Sequence, residues 1–174
     1  MTRLHVNSTL LEEALEAWQF TREGVIAEAE AVPPGQFEWK PTEKSRTVTR
    51  LIHHIVESSL MPAGELTRPD GDFQRAPYSQ LLAEYGGHVA AVEGKDALVQ
   101  LLRDTHEDAD RRFREAGELF LLQMIRRFDG KPGTRLAWLY HMVDHESYHR
   151  GQLALYVRQL GYVPALTRMI LGET

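Results

Sequence analysis

Apolar side chains recur at helical spacing along most of the chain and predict four to five helices joined by loops of medium length. Leu11, Leu15, Trp18, Val25, Ala29 and Val32 step by threes and fours, interrupted only by Arg22, and predict a first helix from about Thr9 to Ala31. Thr9 followed by Glu12 has the capping-box pattern, and Pro33-Pro34-Gly35 ends the run. Gln36 to Arg46 reads as a loop with Phe37 and Trp39 as apolar anchors before Pro41. A second helix begins near Thr47 and carries Val48, Leu51, Ile52 and Ile55 inward. Thr67 to Pro77, rich in Pro, Gly and Asp, reads as a longer connection.

A third helical stretch starts near Tyr78 with Leu81, Leu82 and Tyr85, and Gly86-Gly87 and Gly94 interrupt it. The periodicity resumes from Ala97 through Leu98, Leu101, Leu102, Thr105, Ala109 and Phe113. Glu118 to Arg127 is apolar and fits either a short helix or part of a bent one, and Phe128 to Gly133 is a turn. The last long helix runs from Thr134, a good N-cap, to Leu160, with Gly161 suited to its stop and Pro164 opposing continuation. Strand-like alternation is scarce, and no two clear strands flank a hairpin signal. With no internal repeat and no break in composition, residues 1–174 are expected to form a single all-α domain, a helix bundle.

Composition narrows the chemistry more than the fold. Hydrophobic residues at 43% and charged residues at 26% are ordinary for a folded chain. A net charge of −5 gives no clustered basic footprint, so nucleic acid is not an expected partner. No apolar run reaches the roughly 18 residues that span a membrane, and Met1 to Leu15 lacks the core of a signal peptide. The expected location is the cytoplasm. Cysteine is absent altogether, which excludes disulfides, thiolate metal sites and a cysteine nucleophile. Any metal must be held by histidine, carboxylate or water, and any thiol must come from another molecule.

The histidines supply the candidate chemistry. His141, His145 and His149 are spaced by four on the last helix, about 40° apart around its axis, on the side that also carries Trp138, Met142, Gln152, Tyr156 and Leu160. Imidazoles facing a core need partners, which backbone carbonyls or water supply in one reading and a divalent ion in the other. The histidine pair within a stripe of three favours the ion. A three-ligand site needs another helix. His54 lies roughly 90° from the centre of the inner face of the second helix, while His53, roughly 165° away, should face solvent. His88 and His106 have charged or glycine neighbours and are read as surface residues, and His5 is assigned no role. His145, Glu146 and His149 also match the H-E-x-x-H pattern of zinc metalloproteases, in which Glu146 would be the base. A peptidase would need a further downstream ligand and normally an edge strand; after His149 the chain offers only Glu173 as a carboxylate and no histidine, and no strand is visible.

The block from Leu139 to Leu153, with His145 and His149 followed at once by Arg150-Gly151-Gln152, resembles the signature helix of the DinB/YfiT-like superfamily. Phe37-Glu38-Trp39-Lys40-Pro41 and Val48 to Glu57 resemble that family's entry into its second helix, and the match places the family's first metal histidine on His54. The resemblance implies an up-down-down-up four-helix bundle and a zinc- or nickel-like ion on His54, His145 and His149. It also implies frequent homodimers and activities that transfer low-molecular-weight thiols such as bacillithiol or isomerise small-molecule substrates with mycothiol. A metal-dependent transferase is therefore expected, with a metal-dependent hydrolase and a non-enzymatic, metal-stabilised bundle as alternatives. His141 is read as a packed core histidine, Glu57 and Asp144 as solvated, and Arg22 as a snorkelling surface arginine rather than an anion binder. Arg150 and Gln152 could face a substrate or a neighbouring helix. Gly151 either allows close helix contact near the metal or is merely tolerated.

Overall fold

The computed structural model describes residues 9–173, and His5 lies outside them. The first helix, α1, spans Leu10–Ala31, and the Thr9 side chain accepts from the Glu12 amide as the capping pattern requires. α2, Val48–Thr67, starts the same way on Thr47, whose hydroxyl accepts from the Arg50 amide. A buried arginine closes its far end: Arg135 donates to the carbonyls of Leu66 and Arg68 at 3.0 and 2.9 Å, groups that a helix terminus leaves without intrahelical partners. α3 spans Tyr78–Gly86, and α4, Lys95–Ala116, begins at Gly94. Gly94 holds φ at +85°, a conformation that favours glycine.

The ambiguous segment Glu118 to Arg127 resolves into two elements. A single turn, α5 (Glu118–Leu121), leads into strand β1 (Met124–Arg126), which pairs antiparallel with β2 (Pro132–Thr134). The turn expected at Phe128 to Gly133 thus joins a small hairpin that the periodicity did not reveal. Thr134 then caps α6, Arg135–Gln159, by accepting from the Ala137 amide, and Gly161 ends the run with φ at +87°. Pro164 does stop α6, but it also opens another short helix, α7 (Ala165–Leu171), whose first amides donate to the Glu28 carboxylate.

Two apolar clusters fix the topology. One gathers Leu11 to Trp18 of α1, Met61 to Leu66 of α2, Ala109 and Phe113 of α4, and Leu136 to Val143 of α6. The other gathers Val25 to Val32, Val48 to Val56, Leu98 and Leu102, and Leu153 to Val157. The start of α1 therefore sits with the ends of α2 and α4 and the start of α6. That arrangement is the up-down-down-up order of a four-helix bundle, with α1 parallel to α6. Among the described residues no helix is long and apolar enough to cross a membrane.

Candidate metal centre

α2 and α6 pack side by side, and three imidazoles meet between them near the middle of the bundle. The ring centroids of His54 and His145 lie 5.2 Å apart, those of His54 and His149 4.7 Å, and those of His145 and His149 4.4 Å. One nitrogen from each ring lies within 4.8 Å of the other two. His145 and His149 meet because residues four apart on a helix are neighbours. His54 is brought in by the α2–α6 packing, so the three predicted ligands converge.

The electrostatics keep these rings in the ligating form. Burial, together with the positive charge of Arg46 and the neighbouring imidazoles, lowers His54 from 6.5 to about 4. Burial, with His149 and His141 nearby, does the same to His145, bringing it to about 4. His149 is also lowered by burial, although its hydrogen bond to Gln152 pulls the other way. All three are thus neutral at pH 7, with a lone pair free on one nitrogen of each ring.

His149 Nδ1 lies 2.8 Å from Gln152 Oε1, an oxygen that can only accept. The tautomer with hydrogen on Nδ1 leaves His149 Nε2 bare, and that atom lies 3.1 Å from His145 Nε2. Two nitrogens bound to one tetrahedral zinc at 2.0–2.1 Å would lie roughly 3.3 Å apart. The donor set therefore fits a divalent transition ion held by His54, His145 and His149. Sequence reasoning gave Gln152 no definite role and passed over Ser58, whose hydroxyl lies 3.4 Å from His54 Nδ1. Their positions, three residues after His149 and four after His54, were the available signal. Arg46 carried none, because it lies in a loop that only the fold brings to the cluster.

Other expectations are corrected. His53 does not face solvent: it is buried, with Nε2 2.8 Å from the Val92 carbonyl, because the short 3-10 turn Val89–Ala91 covers that side of α2. His106 is half-buried rather than a surface residue, its ring edge-on to Trp18 at 4.2 Å, and burial beside Arg22 lowers it to about 4. His141 is exposed rather than packed in the core and stacks on Trp138 at 4.6 Å. His88 and Asp144 are exposed as expected, whereas Glu57 is half-buried.

Arg22 is wholly buried and does not snorkel. Its partner is Glu146, whose carboxylate accepts from Arg22 Nε at 2.5 Å and Nη2 at 2.9 Å and from Trp18 Nε1 at 2.8 Å. Glu146 is therefore committed to the core, away from the role the H-E-x-x-H pattern would give it. Arg150 faces the neighbouring helix α1: its guanidinium lies over Phe20 and fills the space beside Gly24. It lines hollows of about 570 and 700 Å³ between α1, α6 and α7, neither of which includes a cluster histidine. Gly151 faces open space, so no close helix contact depends on it.

Residues 5–173 match the model of the DinB family. YjoA of Bacillus subtilis (strain 168), an uncharacterized protein, is 27% identical over 135 residues, covering 77% of this chain and 80% of YjoA. The crystal structure of DinB-like YjoA superposes with a TM-score of 0.67 at 22% identity, covering 88% of this chain and 94% of that one. YfiT of Bacillus subtilis, described as a probable metal-dependent hydrolase with an unusual four-helix bundle topology, gives 0.69 at 13% identity over 93% and 94% of the two chains. The mycothiol-dependent maleylpyruvate isomerase gives 0.67 at 18% identity over 88% of this chain and 63% of that one.

Proposed function

The chain belongs to the DinB family, and from that premise we propose that it is a metal-dependent transferase that joins a low-molecular-weight thiol, of the bacillithiol or mycothiol type, to a small electrophile. The observation that carries the reading is the convergence of three neutral imidazoles with Glu146 turned away from them. Zinc or nickel held there would supply Lewis acidity strong enough to deprotonate a thiol outright, with no protein base.

The chain's own residues have three tasks. His54, His145 and His149 fix the ion, and Gln152 fixes the tautomer of His149. Arg46 places positive charge beside all three rings, which favours an anionic sulfur there. With no cysteine in the sequence, the sulfur must arrive with a co-substrate. In the transfer the thiol loses its proton to solvent and a sulfur–carbon bond forms at the electrophile. The leaving group departs with the bonding pair.

Hydrolysis is the second reading, favoured by the likeness to YfiT. It asks more of this site. A hydrolase commonly needs a base to manage water's protons, and no described carboxylate hydrogen-bonds any of the three rings. The reading includes a homodimer, supported by the exposed apolar side chains Met169, Ile170 and Leu171 on α7, with sedimentation as its measurement.

The test is loss of free bacillithiol or mycothiol in the presence of iodoacetamide, with zinc- or nickel-loaded protein. The expected rate exceeds background and disappears on chelation and in His149→Ala. No rate with either thiol, alongside turnover of esters or amides, would transfer the assignment to hydrolysis. No turnover of either kind in metal-loaded protein would leave a metal-stabilised bundle.

A further inference from the structure

A small cavity of about 170 Å³ opens against the histidine cluster between α2, α6 and the turn that follows β1. His145 and Ser58 form one end of it, and Ser58 lies 3.4 Å from His54, so this end abuts the proposed ion. The remaining walls are largely aromatic and apolar, with the exposed His141 imidazole stacked on Trp138 among them. Trp138 and Phe128 approach at 5.8 Å and Tyr78 meets Phe128 edge-on at 5.3 Å, while Met61 and Met142 add thioether sulfur to the lining. Imidazoles are the only titratable groups at the cluster end, and no lysine, arginine or carboxylate lines the cavity.

Size and chemistry select the occupant. An apolar cavity of about 150 Å³ holds a single benzene molecule. Aromatic faces and edges with methionine sulfur give favourable contacts to another flat ring. Along the aromatic walls, where no lysine, arginine or carboxylate stands, a charged group would lose hydration without an ion-pair partner. Proline at position 62 also lines the cavity, and its missing N–H leaves the Ser58 carbonyl without the usual helical donor.

We propose that this cavity takes the uncharged aromatic ring of the electrophilic co-substrate, so that the carbon attached to the ring faces His145 and Ser58. The inference rests on the transferase reading for the identity of the reaction, but ring binding is measured without any reaction.

Benzyl alcohol is titrated into zinc-loaded protein while tryptophan emission is followed, with methanol, the same alcohol without its ring, as control. Trp138→Phe identifies the responding indole. The expected result is a saturable change with one ring per chain that methanol does not produce and Trp138→Phe abolishes. Met142→Phe, which fills the cavity, should weaken binding at least fivefold with zinc content unchanged. Tyr78→Ala removes a wall ring from a position that is 45% exposed, so it tests the same point if the filled variant does not fold. No saturable binding, or binding unaltered in both variants, would overturn the inference. Thiol transfer to iodoacetamide without ring binding would overturn the cavity assignment alone. Ring binding without any thiol transfer would support the cavity and remove the transferase reading.

Discussion

A histidine ligand presents one nitrogen to its ion, and the partner of the other nitrogen decides which one is available. At His149 that partner is Gln152, at 2.8 Å. Gln152→Leu keeps a similar volume but removes the acceptor, and such partners are typically worth 10–100-fold in metal affinity. Zinc competition should therefore show a loss of about that size in a folded protein, and unchanged affinity would remove Gln152 from the site. Two members of the histidine cluster, His145 and His149, were legible in the sequence because i, i+4 spacing fixes two rings on one face. His53 and His106 were misread, because a helical wheel treats one helix alone. His53 is covered by a segment about forty residues away, and His106 is covered by Trp18. That cover makes His106 a source of pH dependence. Its value falls from 6.5 to about 4, first because of burial and then because of Arg22. Between those values the unfolded chain binds a proton that the folded chain refuses, so stability is full above about 6.5 and declines as pH falls toward about 4. His106→Phe should flatten that decline in thermal melts recorded across the window. A slope identical to the parent protein's would show that His106 does not contribute.

Between helices, the Arg22–Glu146 pair ties α1 to α6, and the same guanidinium donates to Ser59 on α2 and to the Leu102 carbonyl on α4. Breaking such a pair on one side leaves an uncompensated buried charge and costs about 3–5 kcal/mol, whereas replacing both partners by apolar groups is often nearly neutral. Arg22→Met should accordingly lower the melting temperature by roughly 6–20 °C, taking about 2–4 °C per kcal/mol for a chain of this size. Adding Glu146→Leu should restore most of the loss. If the double variant melts no higher than the single one, the penalty lies in lost packing rather than in the stranded carboxylate. The long helices were readable because each carries its own apolar stripe and cap residues. The β1–β2 hairpin was not, since three-residue strands that include Pro132 and Gly133 are too short to show a period of two. α7 was missed for a different reason: Pro164 opposes continuation of α6, which holds, but it also stands at the start of a further helix. What settles α7 is Glu28, supplied by α1 from across the fold.

Across the whole molecule, the two apolar clusters are separated by a polar seam. The first cluster stops at Trp18, Met61, Ala109 and Val143, and the second starts at Val25, Val56, Leu102 and Leu153. Between them lie Arg22, Ser58, Ser59, Thr105, His145, Glu146 and His149, with His54 reaching in from the edge of the second cluster, so every long helix contributes polar side chains near the same level. The bundle order was implied by the resemblance of two sequence blocks, whereas the seam arises only when four separate stripes are aligned. Its two halves are fastened differently: α1 is joined to α6 by the ion pair, and α2 is joined to α6 at the histidines. An ion on His54, His145 and His149 would therefore act as a cross-link between two long helices, and it binds the folded chain because the unfolded chain does not hold the three rings together. Free zinc at a hundredfold excess over its dissociation constant adds about 2.7 kcal/mol of stability, which corresponds to roughly 5–11 °C for a chain of this length. Melts of chelated and zinc-loaded protein should differ by about that amount, and His149→Ala should show little response to zinc. A variant that kept the full zinc-induced shift would place the ion elsewhere on the protein, because a cross-link across this seam cannot survive the loss of its most buried ligand.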